Sequence, residues 1–244
     1  MAGRARPGVS GRGSESDPLP AELPAVQRRF RRTHHTALAP RHGRRHRVNL
    51  ALFDFDGTLT TRETFGDFMR FAVTPRRRAL GAPLFAPMLA GYKLGLVSGT
   101  RIRQSVAAFG FRGAHEKHVR AAGERFAADF LPTVLRPEAM QRLAWHQSQG
   151  DRVVLVSGGF DAYLAPWCRQ HGLELLCSLL EIRGGRLTGR YHGPQCVGEE
   201  KARRVRAHLD LVAYPLCYAY GDTHEDEALL ALAHKRFYRG VEIA

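Results

Sequence analysis

Lysine is nearly missing from this chain. Of its 37 basic residues only four are lysines (Lys93, Lys117, Lys201 and Lys235), and the rest are arginines. A bias that strong fits a GC-rich coding sequence, so the net charge of +14 is a weak pointer to a nucleic-acid partner. Cysteine is scarce too. Cys168, Cys177, Cys196 and Cys217 form no C-x-x-C pair and stand in no His/Cys cluster at zinc-finger spacing, which argues against a disulfide scaffold or a zinc module. They read as reduced thiols of a cytoplasmic protein. No apolar run approaches the roughly 20 residues that a membrane span needs, and the N-terminal stretch has no apolar core of a secretory signal.

What is present suits a globular protein. The 244 residues are 44% hydrophobic and 25% charged, enough for one large α/β domain or a core with a smaller insert. Residues 1–47 stand apart. Eleven arginines against Glu15, Asp17 and Glu22 put +8 of the +14 there, and no hydrophobic periodicity accompanies them. Such a segment cannot bury enough apolar surface to offset its ordering entropy, so a disordered basic tail is expected. Three readings compete: a basic arm for nucleic acid or anionic lipid, a functionally neutral tail, or translation that begins at Val48 through a non-AUG start codon. The last two are favoured. No nucleic-acid module accompanies the arm, so no specific nucleic acid is expected, and a non-catalytic nucleic-acid-binding protein is the rival of a different class.

From Asn49 the pattern changes. Leu50–Phe53 is a short apolar run that ends in Asp54-Phe55-Asp56-Gly57-Thr58, a buried parallel strand followed by a polar loop. Residues 65–130 are mostly helical in pattern, with a clear apolar face at Val119, Ala122, Phe126 and Phe130. Pro137 opens a helix to about Gln149. Arg152–Val156 is a second buried strand ending in the loop Ser157-Gly158-Gly159, and a helix covers Asp161–His171. Leu173–Ile182 reads as a strand leading into a hairpin that ends near Tyr191. Helix 199–209, strand 215–220, helix 223–233 and strand 234–238 complete the chain. The alternation predicts an α/β fold, a doubly wound parallel sheet. The helical block after the first strand is too long for one crossover and is read as a cap, residues 65–130, inserted into a core of residues 48–64 and 131–244.

Polar residues follow the apolar runs: Asp54 and Asp56, then Ser157, then Asp222, with Lys201 at a helix start. In an open α/β sheet the loops at the strands' carboxyl ends converge on one crevice. Three carboxylates, a hydroxyl and a lysine supply hard oxygen ligands for Mg²⁺ and groups for a phosphate. The motifs resemble those of the haloacid dehalogenase superfamily: Asp54-Phe55-Asp56-Gly57-Thr58-Leu59-Thr60, then Val153 to Gly159, then Lys201, then Gly221-Asp222-Thr223-His224-Glu225-Asp226. With the cap between the first two motifs, the chain is similar to phosphoserine-phosphatase-like members. The resemblance implies a Rossmann-like core and a magnesium-dependent phosphatase. Asp54 would be the nucleophile and Asp56 the general acid and base. Ser157 and the amides of Gly57 and Gly158 would bind the phosphoryl group, and Lys201 would supply positive charge. Asp54, the carbonyl of Asp56 and Asp222 would hold the metal, with Asp226 in support. Thr223-x-x-Asp226 also resembles a helix capping box, which is compatible with that support.

The cap decides the substrate. Glu63, nine residues after Asp54, stands where phosphoserine phosphatases place a glutamate for the substrate amino group, but the rest of their cap signature is not recognisable. Arg101 and Arg103 suit a carboxylate, though solvated arginines are the favoured reading. Ala79–Tyr92 carries no charge and is flanked by Arg76, Arg77, Arg78 and Lys93. Such an apolar hairpin with basic flanks suits peripheral docking on an anionic membrane, and its resemblance to the apolar cap of bacterial phosphatidylglycerophosphate phosphatases of the superfamily implies a lipid phosphomonoester. The preferred alternative is a cap helix pair that buries its face on the core, with a small phosphometabolite as substrate.

Overall fold

The structure, a computed structural model, describes residues 48–244, so the readings of residues 1–47 fall outside the described residues. Leu50–Phe53 forms β1, and all four side chains are buried, as four consecutive apolar residues require of a strand covered on both faces. It lies at the centre of a six-stranded sheet. β2 (Arg152–Phe160) and β3 (Glu174–Ser178) lie on one side; β6 (Cys217–Gly221), β7 (Lys235–Tyr238) and β8 (Val241–Ile243) lie on the other, in the order β3-β2-β1-β6-β7-β8. All neighbours are parallel except β7 and β8. The doubly wound α/β fold expected from the alternation is what the chain adopts.

Helix α1 (Phe65–Ala72), α2 (Pro75–Lys93), α3 (Gly99–Phe111) and α4 (Glu116–Arg125) follow β1, with a π-helical turn at Phe126–Phe130. Then come α5 (Pro137–Ser148) before β2, α6 (Asp161–His171) before β3, α7 (Glu199–His208) before β6, and the single turn α8 (Glu227–Leu230). One sheet face buries Leu50, Leu52, Val154, Val156 and Ala219 with Val205 of α7 and Leu229 of α8. The inserted helices are tied down by aromatic rings: Phe68 lies 5.3 Å from Phe126 and 4.8 Å from Tyr163 of α6, centroid to centroid.

Several local readings are corrected. Ser157-Gly158-Gly159 is no loop; β2 runs on to Phe160, with a bulge between Ser157 and Phe160 that two glycines permit. Leu173–Ile182 is not one strand. It divides at Leu179 into β3 and β4 (Leu180–Arg183), and β4 pairs only with β5 (Arg186–Tyr191). The helix expected from Thr223 to about Ala233 is a 3₁₀ turn, opened by a capping box between Thr223 and Asp226, followed by the single turn α8. The uncharged run is neither a hairpin nor a helix pair. It lies within the single helix α2, and most of its surface faces solvent. All four cysteines are buried and free.

Helix α4 approaches α6 closely enough that a side chain on Gly123 would meet the Ala162 carbonyl oxygen at 1.9 Å. Backbone cannot yield as a side chain can. Gly123→Ala is therefore expected to cost about 1–3 kcal/mol in urea unfolding; unchanged stability would show that α4 can lift off α6 freely.

Candidate active site

The strand order reverses at β1, whose neighbours β2 and β6 lead the chain to opposite sides. A crevice therefore opens beyond its carboxyl end. Register decides what lines it. Phe53 pairs with both Leu155 and Tyr220, so Asp54 and Asp56, Ser157, and Asp222 all emerge just beyond the same line. The Asp54 amide still donates to the Tyr220 carbonyl at 3.0 Å, which anchors the first carboxylate to the sheet.

Lys201, in the first turn of α7, is buried and bridges two carboxylates. Its Nζ donates to Asp54 Oδ1 and Asp226 Oδ1, each at 2.5 Å. Burial pushes the Asp54 carboxyl above the ordinary range while the Lys201 ammonium pulls it back. Burial would lower Lys201, but Asp54 and Asp226 more than offset this and keep it protonated above the ordinary amine range. Asp226 Oδ2 accepts from the amides of Asp222 and Thr223 (both 3.1 Å) and from Thr223 Oγ1 (3.2 Å).

Asp56 turns its side chain the other way. Its Oδ1 accepts from the Thr64 amide at 2.7 Å and from Thr64 Oγ1 at 2.6 Å, and Thr64 Oγ1 also contacts Tyr163 Oη at 3.2 Å. Burial raises the Asp56 carboxyl despite those bonds. Thr64 and Tyr163 were missed by sequence reasoning, since nothing local marks a threonine eight residues away as a carboxylate partner. Gly57 has φ +77°, and a Cβ there would fall 2.2 Å from Asp222 Oδ2. Its amide donates to Thr60 Oγ1 at 3.1 Å, so the donor assigned to a phosphoryl oxygen is already used within the loop. The amides of Phe55 and Asp56 instead meet no acceptor among the described residues.

Ser157 is fully buried, and its Oγ accepts from the Gly159 amide at 3.0 Å. Gly158 lines the crevice together with Asp54, Asp56, Glu63 and Lys201. Glu63 sits open to solvent at the rim and has no ion-pair or hydrogen-bond partner there. The surrounding protein nevertheless desolvates its carboxyl and Asp56 repels its charge, which outweighs the pull of Arg103 and pushes it up to about 7. Arg101 is exposed, as expected. Arg103 is not solvated: it reaches into the crevice, donating to Glu225 at 2.7 Å and to Gln195 at 3.4 Å. Glu225 and Gln195 were not foreseen, although Glu225 lies inside the fourth motif.

Oxygens of Asp54, Asp222 and Asp226 come within 4.8 Å of one another, close enough to share a cation. Asp226 is already engaged by four donors. Asp54 offers a second oxygen, Asp222 accepts only from Thr58 Oγ1 at 3.3 Å, and the Asp56 carbonyl accepts nothing among the described residues. A hard, all-oxygen donor set of this kind fits Mg²⁺.

A family model of haloacid dehalogenase-like hydrolases matches residues 51–231. Protein CicA of Caulobacter vibrioides is 33% identical over 196 residues, covering 80% of this chain and 87% of its own. A solved structure of a protein from Bordetella pertussis Tohama I is 26% identical, with TM-score 0.63, over 78% of this chain and 88% of that one. A phosphoserine phosphatase structure is similar in fold, with TM-score 0.56 at 21% identity, over 78% of this chain and 85% of that one.

Lys201→Met should cost about 3–5 kcal/mol in chemical unfolding near neutral pH, because two buried carboxylates lose their counter-charge. Asp54 would then have a folded-state pKa raised further above its unfolded value. The deficit should therefore be largest above pH 7 and shrink as pH falls and Asp54 takes up a proton. A deficit that grows on acidification would overturn this account of the bridge.

Proposed function

The chain belongs to the haloacid dehalogenase-like hydrolases, and from that premise we propose that it is a Mg²⁺-dependent phosphatase acting through a phosphorylated Asp54. Its substrate is a small phosphomonoester that carries an amine and no carboxylate. The reaction rests on one observation above all: Asp54 is held at the switch point of the sheet by a buried Lys201.

Asp54 attacks phosphorus with its free oxygen, and the phosphorus–oxygen ester bond breaks. Asp56, raised toward the protonated form, gives its proton to the leaving alcohol and then takes one from the water that attacks the aspartyl phosphate. Thr64 and Tyr163 hold Asp56 in place for both transfers. Inorganic phosphate leaves and Asp54 is restored. Asp54, Asp222 and the Asp56 carbonyl would hold Mg²⁺, with Asp226 orienting Lys201 and the loop. The ion would offset repulsion between carboxylate and phosphate. Lys201, the Ser157 hydroxyl and the free amides of Phe55 and Asp56 supply donors for the phosphoryl oxygens; Gly158 supplies a wall without a side chain.

The substrate reading comes from charge pairing. Arg103, the crevice cation other than Lys201, is ion-paired with Glu225 and acts on Glu63 only through space, while Glu63 faces the same crevice with no ion pair among the described residues. A ligand ammonium would satisfy Glu63, whereas a ligand carboxylate would have to compete with Glu225. Phosphoserine, which carries both groups, is therefore the weaker reading. A lipid phosphate rests on the exposed helix α2 rather than on the crevice.

Asp54→Asn is expected to lower turnover of p-nitrophenyl phosphate with Mg²⁺ by about 10³-fold or more; undiminished turnover would defeat the reaction scheme. Among substrates, phosphoethanolamine should outrun glycerol phosphate and phosphoserine. Its advantage over glycerol phosphate should grow as pH rises through about 7, where Glu63 ionises. Glu63→Gln should flatten that dependence and raise KM for the amine substrate about tenfold. Equal discrimination by wild type and variant would remove Glu63 from substrate recognition while leaving the reaction intact.

A further inference from the structure

Between Arg78 and Lys93 helix α2 carries no charge, yet only a stripe of it is packed. Gly81 and Phe85 press on Phe109 of α3, whose ring lies 5.5 Å from that of Phe85, and Gly91 meets Val97. The rest faces water. Leu80 is 71% exposed and Leu84 61%, and just beyond the helix Leu94 and Leu96 are 73% and 78% exposed. A helical stretch uncharged on all sides is normally buried, and an exposed apolar patch of this kind marks a docking surface. Intrinsic propensity does not explain it either, since α2 contains Pro83 and Pro87 as well as Gly81 and Gly91.

Charge identifies the occupant. Between Phe68 and Glu116 the chain has no carboxylate side chain, against eight basic residues. Arg76, Arg77 and Arg78 crowd the first turn of α2, where the helix dipole disfavours cations. Arg77 is used, donating to the carbonyls of Gly110 and Arg112 at the end of α3. Arg76 and Arg78 have no acidic partner among the described residues. An apolar groove floored by Met69, Val73, Phe85 and Phe109 is rimmed by Arg70, Arg77 and Arg78. A second copy of the chain fits poorly. Antiparallel pairing of two α2 helices would set Arg76 and Arg78 against the partner copy's basic C-terminal turn, and parallel pairing would set the arginines against each other. No acid in the segment could relieve either contact.

We propose that the exposed face of α2, with Leu94 and Leu96, docks on an anionic membrane surface, leucines entering the acyl boundary and arginines meeting the headgroups. No described helix is long and apolar enough to cross a membrane, so the contact is interfacial. It does not depend on which phosphomonoester is hydrolysed.

Flotation of the full chain with vesicles of equal parts phosphatidylglycerol and phosphatidylcholine tests it, with pure phosphatidylcholine as control. The wild type should float with the anionic vesicles, and added salt should weaken the association. The double variant Leu80→Glu/Leu84→Glu should lose affinity about tenfold or more. Both positions are exposed and lie away from the crevice, so p-nitrophenyl phosphate turnover without vesicles should be unchanged, which confirms that the variant is folded. Failure of the wild type to bind anionic vesicles would overturn the proposal. So would undiminished binding by the variant, which would place the attraction elsewhere in this basic chain. A dimer in gel filtration that the variant converts to monomer, with no vesicle binding, would assign the face to self-association instead.

Discussion

Three segments far apart in the chain meet at one ammonium group. Lys201 arrives at the start of α7, Asp54 at the end of β1, and Asp226 on the turn after β6, and both carboxylates lie 2.5 Å from the same nitrogen. A lysine buried without partners would give up its proton, and a buried carboxylate without partners would take one up. Each charge is tolerable only because the others are in place. Replacing such a group with packed hydrocarbon often leaves stability unchanged or improved, so stability alone does not explain its presence. What the bridge secures is position: it fixes one oxygen of Asp54 and leaves the other without a hydrogen-bond partner among the described residues. Through Asp226 Oδ2 it also fixes the backbone that carries Asp222. The Asp54 carboxylate and the backbone that carries Asp222 are thus set by one electrostatic constraint.

The residues legible in the sequence share a property. Asp54, Asp56, Ser157 and Asp222 follow short apolar runs, and a run that must be buried on both faces announces both the strand and its end. Lys201 was legible through the order of the motifs. Thr64, Tyr163, Arg103 and Gln195 were not, because each acts on a partner that only the tertiary path brings near. Arg103 shows the difficulty. On a helix with no periodic reason to point inward it reads as solvated; what draws it in is Glu225, 122 residues away.

The corrections have the same origin. The bulge at Gly158 and Gly159 answers a register shift against β3, and register belongs to pairs of strands rather than to either one. The Asp226 carboxylate, which a local capping signature explains as a cap alone, is also bound by the Asp222 amide and by Lys201, partners its own turn does not announce. For α2, hydrophobicity predicted that an apolar face would be covered but could not say by what. The exposed leucines show that the described core does not supply that cover.

The crevice divides its labour between two sources of side chains. The sheet's loops supply Asp54, Asp56 and Asp222, and the first turn of α7 supplies Lys201, each held by hydrogen bonds. The helical insertion supplies Arg103, and the link between β1 and that insertion supplies Glu63. Arg103 and Glu225 join the two parts directly, since Glu225 is the immediate neighbour of Asp226 on the same turn. An arginine kept free for substrate would leave this joint open. Pairing it within the protein gives up one means of recognising a ligand anion and gains a contact between the inserted helices and the turn that orients Lys201. An arginine paired this way has less to offer a ligand anion, while Glu63, on which Arg103 acts through space, forms no ion pair among the described residues.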